Sequence, residues 1–256
     1  MNPLLTPTQH QTALDDRGTG HPFLLLHGGG GPQSVAPLAH ALAATGRARV
    51  LTPTHPGFDG TPRPADCATA ADLAVRYHAL LAESGLSGVT VVGSSFGGWI
   101  AAEMALRAAD LVRSAVLVNA VGIAVDDHPI TDVAGMPLDR LADLSYHDPE
   151  RFRVDPSTLP PERRAAIAAN QAALAAYAGE PYMHDPGLRA RLSAVAIPVH
   201  VLWGESDGIV DLDYGRAYAR AIPTADFRVI PGAGHLPHVE QPELVRDLVL
   251  AAAPAR

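Results

Sequence analysis

Val89-Thr90-Val91-Val92-Gly93-Ser94-Ser95-Phe96-Gly97-Gly98-Trp99-Ile100 decides the fold of this chain. Val89 to Val92 is the kind of apolar, β-branched run found in strands covered on both faces. From Gly97 to Ala109 the apolar spacing changes to that of a helix. Between the two lies Gly93-Ser94-Ser95-Phe96-Gly97, a G-x-S-x-G pattern in a strand-to-helix turn. Such a turn holds its central residue in strained dihedrals, so the residues two before and two after must be small, which accounts for Gly93 and Gly97. Ser95 is thereby pushed into a cleft at a helix N-terminus, where backbone N–H groups and positive potential favour a developing negative charge. Ser94 is the alternative nucleophile, but it puts the glycines at the wrong offsets. The bare pattern recurs by chance; its weight comes from the strand before it and the helix after it.

Outward from this turn the chain alternates short apolar runs with longer Ala- and Leu-rich segments. Strands are expected at Phe23 to Leu26, Ala48 to Thr52, Val89 to Val92, Ser114 to Val118, Pro198 to Trp203 and Phe227 to Ile230. Helices are expected at Val35 to Ala44, Ala70 to Ser84, Gly97 to Ala109, Tyr214 to Ala221 and Glu243 to Ala252. This alternation implies an α/β protein with a mainly parallel central sheet flanked by helices. The first twenty residues are expected to add one or two antiparallel edge strands. From Gly122 to Arg191 no strand is evident, only helical stretches such as Pro137 to Leu144 and Pro161 to Ala178. So long an excursion needs structure of its own, so 122–191 is expected to be a helical cap inserted in a core formed by 1–121 and 192–256. The two His-Asp-Pro triplets, at 147–149 and 184–186, are helix-start punctuation and no repeat.

Composition narrows the function. The 256 residues are 47% hydrophobic and 18% charged, enough apolar material for one folded domain and too much for a disordered chain. A formal charge of -8 argues against nucleic acid as a partner, because phosphate binding needs clustered Lys and Arg. The single Cys67 cannot form an internal disulfide and is expected to be a small, semi-buried thiol. MNPLLTPTQH lacks the basic and apolar regions of a signal peptide, and no apolar run approaches a membrane span, so a soluble, cytoplasmic protein is expected.

With the strand, the Gly93 to Gly97 turn and the Ser-Phe-Gly-Gly of Ser95 to Gly98 in view, the chain resembles the α/β-hydrolase superfamily over nearly all its length. Within it, the chain is similar to the capped esterases and carbon–carbon bond hydrolases. A serine hydroxyl needs a base held in the right tautomer, and the superfamily order is Ser, then Asp or Glu, then His. Pro231-Gly232-Ala233-Gly234-His235 follows the last expected strand, and its flexible loop suits His235 as the base. His78 on a helix, His200 in a strand, and His128, His147 and His184 in cap loops have ordinary structural readings. The acid belongs in Trp203-Gly204-Glu205-Ser206-Asp207, where the resemblance favours Asp207, three residues beyond Gly204. Glu205, Asp211 and Asp213 read as loop solvation or helix capping. A few superfamily members carry the acid one strand earlier, where Asp126 or Asp127 would stand.

His27-Gly28-Gly29-Gly30-Gly31-Pro32 follows the strand Phe23 to Leu26, and its glycines let backbone N–H groups face the cleft unobstructed. By resemblance, the oxyanion hole is the N–H groups of Gly29 and Phe96, with His27 ordering the loop. A phosphate loop is excluded because no Gly-Lys-Ser or Gly-Lys-Thr follows, and a dinucleotide site because Pro32 interrupts. His55-Pro56-Gly57-Phe58-Asp59-Gly60-Thr61 resembles the family's turn-rich segment, with His55 where Asp is more usual; its role reads as structural. His235 and His238 lack accompanying ligands, so no metal and no cofactor are expected. Trp99, Phe152, Tyr177, Tyr182 and Met183 could line an acyl pocket, although such residues are more often core. The partner expected is a small-molecule substrate, and a homo-oligomer is compatible with the sequence. The leading expectation is a carboxylesterase-like serine hydrolase. Its alternatives are a carbon–carbon bond hydrolase of diketone-like ring-cleavage products and a non-catalytic ligand-binding or lyase-like homologue.

Overall fold

In the computed structural model, residues 13–108 and 110–254 are described. Seven strands form one sheet: β1 (Leu14–Gly18), β2 (His21–Leu26), β3 (Ala48–Pro53), β4 (Val89–Ser94), β5 (Val112–Val118), β6 (Val199–Gly204) and β7 (Ala225–Ile230). Their order is β1-β3-β2-β4-β5-β6-β7. Only β1 runs antiparallel, pairing Leu14 with Pro53 and Gly18 with Arg49. The other neighbours are parallel. The expected N-terminal edge strand is therefore present once, at β1; residues 1–12 lie outside the described residues.

Why the strands read as unbroken apolar runs is visible in how their side chains divide. In β2, Leu24 and Leu26 join one buried cluster while Phe23 and Leu25 join another. In β4, Val91 and Val92 divide in the same way. On one face lie α2 (Ala70–Glu83), α3 (Phe96–Leu106) and α8 (Leu212–Arg220), which bring Tyr77, Ile100, Tyr214 and Tyr218 into the first cluster. On the other lie α1 (Ala36–Ala43) and α10 (Pro242–Ala251), with Leu38, Leu42, Val245 and Val249. A sheet covered twice has no polar face to alternate with.

The helix carrying the fold-deciding turn is buried on every side from Phe96 to Ala105. Even Glu103 is 1% exposed there, neutralised by Arg107 and Arg191. This helix ends at Leu106, where Arg107 leaves helical geometry, short of the expected end; Ala109 itself lies outside the described residues. Helix α2 starts on a capping box in which Thr69 and Asp72 satisfy each other's backbone N–H groups.

Between β5 and β6 the chain makes only helices: α4 (Leu138–Ser145), α5 (Pro149–Phe152), α6 (Pro161–Ala178) and α7 (Leu188–Arg191). The excursion is pinned where it leaves and returns, by a bridge between Gly122 and His184 and by the Asp185 N–H on the Gly122 carbonyl at 3.0 Å. Among the described residues, no helix is long and apolar enough to cross a membrane.

Candidate active site

The carboxyl edge of the sheet gathers the residues singled out in the sequence. Ser95 follows β4 with φ 54° and ψ -116°, in the left-handed half of the map that side chains avoid. Its surroundings enforce this backbone. A Cβ at Gly93 would strike the Gly97 carbonyl, and one at Gly97 would strike the carbonyls of Leu26 and His27. Strand, elbow and helix are thus packed closer than any larger residue permits. Ser95 is partly exposed, whereas Ser94 is 4% exposed and its Oγ is buried with no hydrogen-bond partner among the described residues. Of the two serines, Ser95 is the one that solvent reaches.

Asp207 lies in the turn after β6, and its side chain is fully buried. One oxygen, Oδ1, accepts the backbone N–H groups of Ile209 at 2.8 Å and Val210 at 3.1 Å. The other, Oδ2, accepts His235 Nδ1 at 2.8 Å and Asn119 Nδ2 at 2.6 Å. This places the proton on His235 Nδ1 and leaves Nε2 as the acceptor nitrogen. Glu205 instead accepts the Gly232 N–H, Asp211 caps α8 through the Tyr214 N–H, and Asp213 pairs with Arg216. Asp126 and Asp127 are exposed. The position one strand earlier belongs to Asn119, which directly follows β5 with φ 47°. Asn119 Oδ1 accepts the Gly204 N–H at 3.2 Å, so one amide ties the end of β5 to Asp207 and to the end of β6. Sequence reading missed Asn119; the available signal was an Asn ending an apolar strand, since Asn tolerates left-handed backbone.

The glycine loop after β2 sits against the elbow. A Cβ at Gly28 would lie 3.0 Å from Ser95 Cβ and 3.7 Å from Ser95 Oγ, so the loop passes the serine with space for backbone alone. His27 is fully buried beneath it. Its Nδ1–H donates to the Gly28 carbonyl at 2.8 Å, and its Nε2 accepts the His55 N–H at 3.1 Å. In a trans peptide the C=O and the following N–H point in opposite directions. Holding the Gly28 carbonyl therefore sets the direction of the Gly29 N–H. His55 continues the chain of contacts, its Nε2–H donating to the His27 carbonyl and its Nδ1 accepting the Tyr77 hydroxyl. Burial pushes His27 down to about 4 and His55 well below the ordinary histidine value, so both rings are neutral at pH 7. The position where Asp is more usual thus holds an uncharged hydrogen-bonding link. Phe58 is fully buried against His27 and His55 and stacks toward Phe96 and Tyr177, so it supports the loop from below.

Helix α6 covers the glycine loop from above. Asn170 Nδ2 donates to the Gly30 carbonyl at 3.2 Å while its Oδ1 accepts the Asp59 N–H at 2.8 Å. A Cβ at Gly29 would come within 2.6 Å of Leu174 Cδ2. Of the cap residues noted in the sequence, Tyr177 and Met183 are buried, and Tyr177 donates to the Pro56 carbonyl at 3.0 Å. Phe152 stacks on Tyr146, and the Tyr182 hydroxyl accepts the Val133 N–H at 3.2 Å. Trp99 is 7% exposed in the core beside Gly122.

A mostly parallel sheet with helices on both faces, carrying a strained serine between strand and helix, is the arrangement of an α/β hydrolase. The chain belongs to the alpha/beta hydrolase family, whose profile matches residues 23–248. It is 31% identical over 258 residues to a 2-hydroxymuconate semialdehyde hydrolase of Pseudomonas putida, covering 94% of this chain and 89% of that one. Among solved structures it is similar to a thermophilic esterase from Thermogutta terrifontis, with 27% identity, a TM-score of 0.74 and coverage of 93% and 90%. The meta-cleavage product hydrolase CumD of Pseudomonas fluorescens shares the fold, with 22% identity, a TM-score of 0.77 and coverage of 94% and 93%.

Proposed function

We propose that the protein is a serine hydrolase that cleaves small carboxylic esters through Ser95, His235 and Asp207. The observation that carries this reading is the buried Asp207–His235 contact at the same sheet edge as the strained, partly exposed Ser95. Ser95 Oγ attacks the carbonyl carbon as its proton passes to His235 Nε2. Asp207 holds the ring and stabilises its charged form. The N–H groups of Gly29 and Phe96 receive the negative charge that develops on the carbonyl oxygen. Collapse breaks the ester C–O bond, and the alcohol leaves with the proton from His235. Water activated by the same nitrogen then releases the acid from Ser95. The inserted helices serve as a cap: α6 closes over the glycine loop through Leu174 and Asn170.

Hydrolysis of a carbon–carbon bond is the second reading, favoured by the 31% identity to a 2-hydroxymuconate semialdehyde hydrolase. The same three residues would serve it. Steady-state turnover of p-nitrophenyl acetate and of a dienoate ring-cleavage product separates the two. The ester reading expects the ester to give the higher kcat/KM; preference for the ring-cleavage product by orders of magnitude reverses the order. Ser95→Ala is expected to stay folded while losing about 10⁴-fold or more in kcat on the preferred substrate. Unchanged turnover sinks both readings. A fluorophosphonate probe is expected to label the wild type and not Ser95→Ala; a folded wild type left unlabelled would favour a ligand-binding homologue.

A further inference from the structure

Glu240 is a buried carboxylate, 9% exposed, at the end of the short helix α9 (Pro237–Glu240). Its Oε2 accepts the Gly234 N–H at 2.6 Å and the His147 N–H at 3.2 Å, and its Oε1 accepts the N–H groups of His147 at 2.9 Å and Asp148 at 3.1 Å. Gly234 directly precedes His235, while His147 and Asp148 belong to the inserted helical segment. More contacts converge on this seam. The His235 N–H donates to the Ser145 carbonyl at 2.7 Å, and the Gly208 N–H, next to Asp207, donates to the Leu144 carbonyl at 3.0 Å. His147 Nδ1 meets Ser206 Oγ at 2.8 Å. The fit leaves no slack, because a Cβ at Gly234 would lie 2.5 Å from the Ser145 carbonyl oxygen.

We propose that Glu240 is a positioning residue for His235, clamping the loop that carries the base to the 144–148 segment of the inserted helices, so that base and cap hold one geometry together. The inference rests on the Ser95 reading above. Oε2 receives N–H groups from both sides of the seam and Oε1 two from the inserted side, so an amide in place of the carboxylate turns its NH2 toward at least one of these N–H groups and repels it. With the clamp weakened, the remaining backbone anchor at His235 is its own N–H on the Ser145 carbonyl. Loss of position at a base by about 1 Å can cost about 100-fold in rate.

The test uses the full chain with Glu240→Gln and Glu240→Asp. It reads kcat and KM on p-nitrophenyl acetate and the rate of fluorophosphonate labelling, with folding checked by circular dichroism and melting. Glu240→Gln is expected to lower kcat at least about 10-fold, with KM within about threefold and with labelling slowed in step. Glu240→Asp keeps the charge on a shorter stem and is expected to fall between. If Glu240→Gln does not fold, Glu240→Asp decides: reduced kcat at unchanged KM supports the clamp, and wild-type kcat overturns it. Variants that melt earlier yet keep wild-type kcat and labelling show a merely structural Glu240 and overturn the proposal alone. A folded wild type that neither labels nor turns over removes the Ser95 reading and this inference with it.

Discussion

At Ser95 the backbone adopts φ 54° and ψ -116°, a conformation costing a side-chain-bearing residue roughly 1–3 kcal/mol. Glycine occupies such regions without that penalty. Two variants that both remove the nucleophile should therefore differ in stability: Ser95→Gly is expected to exceed Ser95→Ala by about 1 kcal/mol, or about 2–4 °C in melting temperature. Equal melting points for the two would show that the elbow stores no strain. The strain also explains why this residue was legible in the sequence, since the turn needs glycine at fixed offsets and so writes itself into five consecutive positions. Asp207 and His235 stand out in the sequence for a related reason, each sitting in a glycine-marked turn after an apolar run, and the fold brings the two into contact at 2.8 Å. Asn119 and Glu240 do not stand out. Asn119 meets its acid across 88 positions and Glu240 meets His147 across 93, and no local pattern records a hydrogen bond made between distant loops. His27 was readable as a loop-ordering residue, but its pairing with His55 and Tyr77 depends on β2, β3 and α2 packing together.

The elements divide in the same way. Strands β2 to β7 and the helices flanking them were visible because a parallel sheet buried on both faces leaves continuous apolar runs, and β1 was expected only as an edge. The inserted helices were visible as helices, but the face of α6 that meets the core was not, since an Ala-rich helix has weak amphipathic contrast. That face is set by Asn170, which bridges the Gly30 carbonyl and the Asp59 N–H, and by Leu174 over Gly29. Asn170 is 6% exposed, while Gly30 and Asp59, whose backbone groups it bridges, are exposed, so truncating it loses two hydrogen bonds but leaves groups that water can reach. Asn170→Ala is expected to destabilise by about 0.5–1.5 kcal/mol, read as a lower urea midpoint at unchanged slope. Because the same contact holds α6 on the glycine loop, KM for the ester should rise as well. A midpoint at the wild-type value would mean that α6 is held by its apolar contacts and that Asn170 only fills space.

Across the whole molecule, three buried imidazoles make stability depend on pH. Burial lowers His27 to about 4 and His238 to about 4, and lowers His55 well below the ordinary value of 6.5. Their hydrogen bonds are built for neutral rings: His27 and His55 each donate once and accept once, and His238 donates to the Ser34 carbonyl. Above pH 6.5 neither the folded nor the unfolded chain protonates these groups, so they cost nothing. As pH falls below 6.5 the unfolded chain takes up protons that the folded chain refuses, and the balance shifts toward unfolding by up to about 1.4 kcal/mol per pH unit for each group. The loss from His27 and His238 levels off near pH 4, where the folded protein accepts the proton, while that from His55 continues further down. His128, drawn upward by Asp211, works in the opposite direction, but it lies in solvent where such pairs contribute little. Three groups acting together approach roughly 4 kcal/mol per pH unit, a large share of the roughly 5–15 kcal/mol that holds a domain folded. Urea midpoints are therefore expected to be nearly level from pH 8 to 6.5 and to drop steeply from 6.5 to 5. His238→Gln, which can keep the donor to Ser34 without titrating, should remove about a third of that slope. A flat profile down to pH 5 would mean that these rings are protonated in the fold and that the His27–His55 link is a charged one.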